Sequence, residues 1–380
     1  MLDFLKILKC WGANILSNSF GKKFKVTVFG QSHSEMMGVV IDGIPSGIKI
    51  NRDLINHELY RRKPGKNKYS TPRNEDDSYS IVSGLVDGYT CGSALCALIK
   101  NENFRNKDYS NIKFNPRPSH ADYPAFVKYS GFNDINGGGQ FSGRLTAPLT
   151  IAGAIAKDLL KRKGIVVASH IKSIYKINDD CIDINNVDFN SLEKTVFKEF
   201  PVINDNAGKK MMELIERTGQ NKDSVGGIIE VAVRGLPVGV GEPLYDSMES
   251  RISSAVFSVP GVRAIEFGLG FEAANLFGSE HNDEYYLDKG HVKTITNNHG
   301  GVIGGLSTGM PLIFRVAIKP TSSIGKEQKT VNLKTFEDSI LKVEGRHDPC
   351  IVPRAVPVIE AVCAISILDL LMLGDFYAVR

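Results

Sequence analysis

Histidines and arginines recur in segments of this chain that are otherwise glycine, proline and small polar residues. The densest runs Asn115-Pro-Arg-Pro-Ser-His120-Ala-Asp122, followed by Gly137-Gly-Gly-Gln-Phe-Ser-Gly-Arg144. Pro116 and Pro118 block a helix, so His120 leaves an extended or turn segment in a set direction. Three consecutive glycines cannot fill a core; they suit a backbone that bends sharply or approaches a ligand closely. A glycine loop opening into a helix combines unpaired N–H groups with the positive helix end, which makes an anion site. A flexible surface loop ahead of a core helix fits the same pattern.

Comparable chemistry lies elsewhere. His33 follows Gly30-Gln-Ser at a strand end, where functional side chains are often presented, though an exposed loop histidine reads the same way. Arg61-Arg-Lys-Pro-Gly-Lys-Asn-Lys68-Tyr-Ser-Thr-Pro-Arg73 is a basic loop able to fold over a polyanion or to lie solvated. Tyr69 within it also permits a thinly supported single-strand nucleic-acid reading. Asn297-Asn-His-Gly-Gly301 is a second glycine cluster. Lys319-Pro-Thr-Ser-Ser323 offers one cation and three hydroxyls, a set suited to a terminal phosphate. Glu344-Gly-Arg346-His-Asp348-Pro349 packs a guanidinium, an imidazole and a carboxylate into one turn, either for function or as a local pair shaping the turn. Imidazoles titrating near neutrality suit proton transfer. Together these residues describe an enzyme acting on a multiply anionic, phosphate-bearing small molecule. They leave the reaction open.

Other chemistries lack their residues. The chain has no GxxxxGK[ST], no HExxH and no nucleophile elbow. The Gly268-Leu-Gly270-Phe-Glu-Ala273 stretch matches a dinucleotide fingerprint only superficially, because no βαβ unit with a following acidic residue surrounds it. No metal site is expected: the histidines lack ligand spacing. Six cysteines contain no CxxC and no paired framework, which reads as reduced thiols and a cytoplasmic protein.

The elements that must position these groups are legible in part. Over 380 residues the hydrophobic share of 42% and charged share of 23% describe an ordinary globular protein with ample core. The net charge of +4 does not argue for nucleic acid. With no linker, repeat or low-complexity block, one large domain is expected. Period-two alternation predicts strands at 24–29, 38–42, 80–84, 93–100, 227–234, 263–267 and 312–318. Helices are expected at 51–62 with Asn51 or Asp53 as cap, at 145–163, 209–217 and 355–373, and from a cap at Asp246 through Phe257. Residues 165–224 are the least informative and read as mixed strands and polar loops ahead of the 209–217 helix. The apolar run 356–373 includes Glu360 and Asp369, so it reads as a buried core helix, not a membrane span. The first 16 residues read as an extension, poorly ordered, without a signal-peptide core.

The motifs also resemble those of a known family. Gly30-Gln-Ser-His33-Ser-Glu-Met-Met-Gly-Val-Val-Ile-Asp-Gly-Ile-Pro45 resembles the first signature of chorismate synthases. Gly139-Gln-Phe-Ser-Gly-Arg144-Leu-Thr resembles the second, and Arg346-His-Asp-Pro-Cys350 the third. The basic loop at 61–65, Arg117–Asp122, 297–301 and 319–323 fall between them in family order, from about residue 17 onward. The resemblance is to the bacterial, monofunctional type. It implies an α+β fold: one catalytic domain over 17–380, with helices sandwiched between antiparallel sheets, assembled as a homotetramer. The implied reaction is anti-1,4-elimination of phosphate from 5-enolpyruvylshikimate 3-phosphate to give chorismate, with reduced FMN (FMNH2) as cofactor.

By the same resemblance His33, His120 and Asp348 are catalytic. One histidine keeps the reduced flavin protonated, the other assists the leaving phosphate, and Asp348 helps deprotonate through flavin N5. Arg62, Lys68, Arg117, Arg144 and Arg346 would hold the substrate's anionic groups. Gln140, Phe141, Ser142, Pro260, Gly261, Gly304, Lys319, Pro320, Thr321, Ser322, Ser323 and Arg346 match flavin-contacting positions. The chain departs from common family residues at Gln140 and Lys68, where arginine is frequent, and at Pro260-Gly261, where Asn-Ala is. No nicotinamide fold is visible, so an external flavin-reducing system is expected, with neither nucleic acid nor membrane as partner. The alternative is a flavin- or phosphate-ligand-binding homologue without elimination activity.

Overall fold

Val26 and Val28 alternate along a strand of the first of two five-stranded antiparallel sheets. A computed structural model describes residues 18–65, 77–101, 112–343 and 347–376. The first sheet contains β1 (Ser19–Phe20), β2 (Lys25–Phe29), β3 (Met36–Asp42), β4 (Tyr79–Ser83) and β5 (Leu95–Lys100), in the order β1-β2-β3-β5-β4. The second contains β6 (Val166–Ile174), β7 (Ile177–Asn178), β8 (Gly227–Arg234), β9 (Val262–Phe267) and β10 (Leu312–Ile318), in the order β9-β10-β8-β6-β7. Every pairing in both sheets is antiparallel.

Helices, chiefly two long apolar ones, pack between the two sheets, and others flank them. The main ones are α1 (Arg52–Arg62), α2 (Asp122–Lys128), α3 (Thr146–Lys161), α4 (Asp205–Gln220), α5 (Met248–Phe257) and α6 (Val352–Leu373). α3 packs against β3 and β5 of the first sheet, α6 against β6 and β8 of the second, and the two helices pack on each other. Their close approach needs a glycine: a Cβ on Gly153 would lie 2.1 Å from the Cβ of Ala361. One cluster of buried apolar side chains runs from Phe24, Met37 and Ile41 through Ile151 and Ile359 to Val231 and Phe314.

α6 is long and apolar enough to cross a membrane by length and composition, and most of it is buried inside the protein. Its two carboxylates tie the layers together. Glu360 accepts from both Nη atoms of Arg61 on α1, from Lys157 on α3 at 2.7 Å and from the Ser169 hydroxyl on β6 at 2.7 Å. Burial opposes its ionisation, but Arg61 and Lys157 outweigh that and hold the carboxyl well below its ordinary range. Asp369 accepts the backbone N–H groups of Lys22, Lys23 and Phe24 at 2.9, 2.7 and 2.9 Å, together with Arg251 at 2.7 Å. The start of the first sheet is thereby pinned to the end of the central helix.

The sandwich and its principal elements agree with the expectations from sequence, though further hairpins pair Tyr285–Asp288 with His291–Thr294 and Glu327–Asn332 with Glu337–Lys342, and other details differ. Ser247, not Asp246, caps α5, its hydroxyl accepting from Ser250 N–H at 3.0 Å; Asp246 pairs instead with Lys22 at 2.6 Å. The segment from 79 to 100 contains an additional small hairpin, Leu85–Val86 with Tyr89–Thr90. The region read only as mixed strands and polar loops contains β6, whose bounds the sequence left unassigned; it pairs with β8 and β7. Ser169, His170, Lys172 and Ser173 interrupt its apolar pattern, and His170 and Ser169 are buried only because ion pairs and hydrogen bonds satisfy them. The expectations for residues 1–16 lie outside the described residues.

Candidate active site

A cavity of about 720 Å³ opens where loops and the ends of several helices converge. That volume lies within the ~300–1,000 Å³ usual for small-molecule sites. Its walls come from the C-terminus of α1, the turn 117–121, the glycine run entering α3, the 257–263 connection, the 319–323 segment after β10 and the 347–351 approach to α6.

The turn that presents His120 follows from its sequence. Its backbone N–H closes onto the carbonyl of Arg117 at 3.2 Å, with Pro118 at the second position and Ser119 at φ 58° at the third. A proline followed by a positive φ is the pattern of a type II turn. The glycine run takes positive φ at all three positions, 60°, 85° and 53°. It thereby approaches two imidazoles. A Cβ on Gly137 would stand 2.3 Å from Cε1 of His33, and one on Gly138 would stand 3.3 Å from Nε2 of His120. Gly139 also accepts the Ser32 N–H at 3.1 Å, so the His33 loop is docked directly on this run.

Cations on the walls are arranged with carboxylates. Arg62, the last residue of α1, and Arg144, just ahead of α3, share Asp77: Arg62 Nη2 donates to it at 2.8 Å, and Arg144 Nη1 donates to its other oxygen. Burial opposes ionisation of Asp77, but the two guanidiniums override it and lower its pKa. Arg117 donates through Nε and Nη2 to Asp122, both at 2.8 Å, and through Nη1 to the Ser323 hydroxyl at 3.1 Å. Asp348 pairs with Arg354 in the first turn of α6, and its carbonyl accepts the Thr321 hydroxyl at 2.9 Å. Arg354 also donates to the carbonyl of Arg62 at 3.1 Å, joining two walls. Lys319 donates to the carbonyl of Ser119. Burial, and then the neighbouring charge of Arg263, lower its pKa.

Among the residues singled out from sequence, Arg62, Arg117, His120, Gln140–Ser142, Arg144, Pro260, Gly261, Lys319–Ser323 and Asp348 line this one cavity. His33 stands behind Gly137 at its edge. Gly304 does not line it; it lies in the turn between the short strands Val302–Ile303 and Leu306–Ser307. Lys68 and Arg346 lie outside the described residues. Sequence reasoning missed Asp77, Arg263 and Arg354. Asp77 stands in an irregular stretch without a motif, and nothing short of the fold places it between Arg62 and Arg144. Arg354, six residues after Asp348 in Asp348-Pro-Cys-Ile-Val-Pro-Arg354, was within reach as a helix-start cation. Among the described residues no group of side chains is arranged to hold a metal ion.

The residues fit a flavin mononucleotide. Pro260, Ile351, Ala355 and Val358 supply apolar surface for a ring system, while Lys319, Ser322 and Ser323 supply charge and hydroxyls for a phosphate. The Ser323 hydroxyl accepts from Arg117, which leaves its own hydrogen to donate.

Comparison with known proteins agrees with this arrangement. Residues 24–372 match the family model described as chorismate synthase. A chorismate synthase of Methanocaldococcus jannaschii is 44% identical over 370 residues, covering 95% of this chain and 98% of that protein. One from Dehalococcoides mccartyi is 44% identical over 362 residues, covering 93% and 96%, and one from Lachnoclostridium phytofermentans is 45% identical over 360 residues, covering 94% and 95%. A solved structure titled "Crystal Structure of Chorismate Synthase" superposes with a TM-score of 0.72 at 26% identity, over 93% of both chains. From its first sheet to its central helix, the chain belongs to the chorismate synthase family.

Proposed function

We propose that this cavity is where the chain carries out the family's reaction, anti-1,4-elimination of phosphate from 5-enolpyruvylshikimate 3-phosphate to give chorismate. The observation that carries the reading is convergence: anion-binding side chains, two histidines and a carboxylate from six separated segments meet at one cavity. Reduced FMN held here would supply transient electron donation, with no net redox change.

Arg62 and Arg144 hold the substrate's anionic groups, with Asp77 fixing their mutual spacing. Guanidiniums suit this because their planar fork matches carboxylate and phosphate oxygens. His120, aimed into the cavity, is the acid that assists the leaving phosphate; His33, across the glycine run, keeps the cofactor's protonation state. Asp348, held by Arg354, assists removal of the departing proton. Lys68 and Arg346 join the same substrate set, and Lys319–Ser323 with Gln140, Phe141, Ser142, Pro260 and Gly261 form the flavin's surroundings. A guanidinium at position 140 would add positive charge; Gln140 leaves that contact to hydrogen bonding alone.

Residues 17–380 act as one catalytic domain, in the cytoplasm, supplied with reduced flavin by an external system. A homotetramer accords with the apolar side chains on the outer surface, among them Tyr245, Phe271, Phe277 and Leu287, which are 91%, 80%, 78% and 75% exposed.

The test is anaerobic assay of the full chain with chemically reduced FMN and 5-enolpyruvylshikimate 3-phosphate. Release of phosphate together with chorismate absorbance is expected. Flavin binding without turnover would support instead a ligand-binding homologue lacking elimination activity.

A further inference from the structure

We propose that Asp122 is a positioning residue for the elimination, holding the His120 ring by Nδ1–H so that Nε2 is the atom turned to the reacting phosphate. The inference rests on the proposed acid role of His120.

The carboxylate of Asp122 is saturated by donors from its own turn. One oxygen accepts the Arg117 backbone N–H at 3.0 Å and Nε at 2.8 Å; the other accepts Arg117 Nη2 at 2.8 Å and lies 2.6 Å from Nδ1 of His120. Burial alone would push its pKa up, but hydrogen bonds from Arg117 and His120 prevail and hold it far below the ordinary carboxylate range. An ionised carboxylate has no proton to give. At 2.6 Å from a ring nitrogen it demands that the hydrogen be on that nitrogen; otherwise two lone pairs would face each other. Arg117 Nη2 also stands 3.1 Å from Nδ1, but a protonated Nδ1 accepts nothing, so the hydrogen bond that Nη2 makes within this turn is the one to Asp122. Nδ1 therefore keeps its hydrogen throughout, and Nε2, on the side of the ring where Gly138 and the cavity lie, is the nitrogen that gives its proton to the leaving phosphate, the imidazolium becoming the Nδ1–H imidazole. An imidazole held through one nitrogen by a buried carboxylate keeps its other nitrogen in the protonation state that proton transfer needs.

Arg117 has a defined part in this. With Nε and Nη2 on Asp122 and Nη1 on Ser323, it anchors the carboxylate to the 319–323 segment across the cavity. Asp122 also opens α2, where its charge suits the positive helix end. A purely structural aspartate would satisfy that second fact, so the test has to separate the two.

Asp122→Asn keeps an oxygen for Arg117 but presents an amide N–H to Nδ1 and so favours the opposite tautomer. With reduced FMN and 5-enolpyruvylshikimate 3-phosphate, kcat should fall on the order of 10²-fold, within the range typical for a lost proton-transfer group. KM should stay within about 3-fold, as expected when only transition-state stabilisation is lost. The same substitution in His120→Ala protein should then change kcat by less than about 3-fold, because its target is gone. An unchanged kcat in Asp122→Asn, or an effect undiminished in the His120→Ala background, overturns the inference while leaving the role of His120 standing. Near-normal kcat in His120→Ala alone refutes the acid role itself and this inference with it. Should Asp122→Asn not fold, as read by circular dichroism, Asp122→Glu completes the same cycle. Its effect is expected to vanish without His120, and persistence there overturns the proposal equally.

Discussion

At the scale of single residues, His120 and Arg144 face the same cavity with different work to do. Arg144 is a fixed cation beside Arg62, and its charge acts on substrate in the ground state as well as in the transition state. His120 meets charge that grows only as the C–O bond to phosphate breaks. His120→Ala is therefore expected to fold, bind FMN and bind substrate nearly normally, with turnover reduced about 10²–10⁴-fold. Arg144→Ala should chiefly weaken substrate binding, by about 10–100-fold, the range for loss of a hydrogen bond to a charged group. Binding and single-turnover measurements on the two variants check this. A His120→Ala enzyme that lost only binding would make the histidine a turn residue. Asp122 and Asp77 extend the point: at both places a carboxylate behind the wall sets the geometry of the cation or imidazole in front of it.

At the scale of elements, the glycine run joins the two histidines. Gly137 has φ 60°, and a Cβ there would meet His33 Cε1 at 2.3 Å, His33 Nδ1 at 2.4 Å and the Ser32 hydroxyl at 2.5 Å. Both the backbone conformation and the space exclude a side chain. Gly137→Ala is expected to displace the 30–34 loop, lowering turnover at least about tenfold, with a loss of stability of about 1–3 kcal/mol from overpacking. Gly278→Ala, where a Cβ meets nothing, is the comparison and should alter neither. Equal turnover in the two variants would mean that the position of His33 does not matter to the reaction. The central helix has the complementary task. By pairing Asp348 through Arg354 at its start and holding Arg61 and Lys157 through Glu360, α6 sets the distance between the walls.

At the scale of the whole molecule, the second sheet carries a buried charge cluster remote in sequence from every motif. His170 on β6 contacts Asp179 at 2.8 Å through Nδ1 and Glu230 on β8 at 3.1 Å through Nε2, and Lys172 donates to Glu230 at 2.9 Å. Burial would depress the imidazole's pKa, but hydrogen bonds to Asp179 and Glu230 prevail and raise it. A raised folded-state pKa stabilises fully below the unfolded value of about 6.5 and ceases to do so as pH climbs through the folded value. The stability gap between the wild type and His170→Gln should accordingly be largest near pH 6 and narrow toward alkaline pH. Thermal melts across that range measure it. A constant gap would mean that the imidazole is uncharged in the native state.

The sequence by itself determined the strands with regular alternation, the capped helix at 52–62, the two apolar helices and the chemistry of the site. Proline pairs, glycine runs and clustered cations are local signals, and local sterics and charge act over a few residues. The tertiary structure decided which of these segments meet. Asp77 lies 67 residues from Arg144 and is recognisable as its partner only when α1 and α3 pack side by side. The bounds of β6 within a region read as mixed strands escaped the sequence, because its polar residues are satisfied by long-range ion pairs and interrupt the alternation. Gly304, matched to the flavin set by resemblance, stands apart from the cavity for the same reason in reverse: position along the chain does not fix position in space. Burial and pairing across distant segments are properties of the packed layers, and only there is the local unit of Arg117, His120 and Asp122 anchored to Ser323, 206 residues further along the chain.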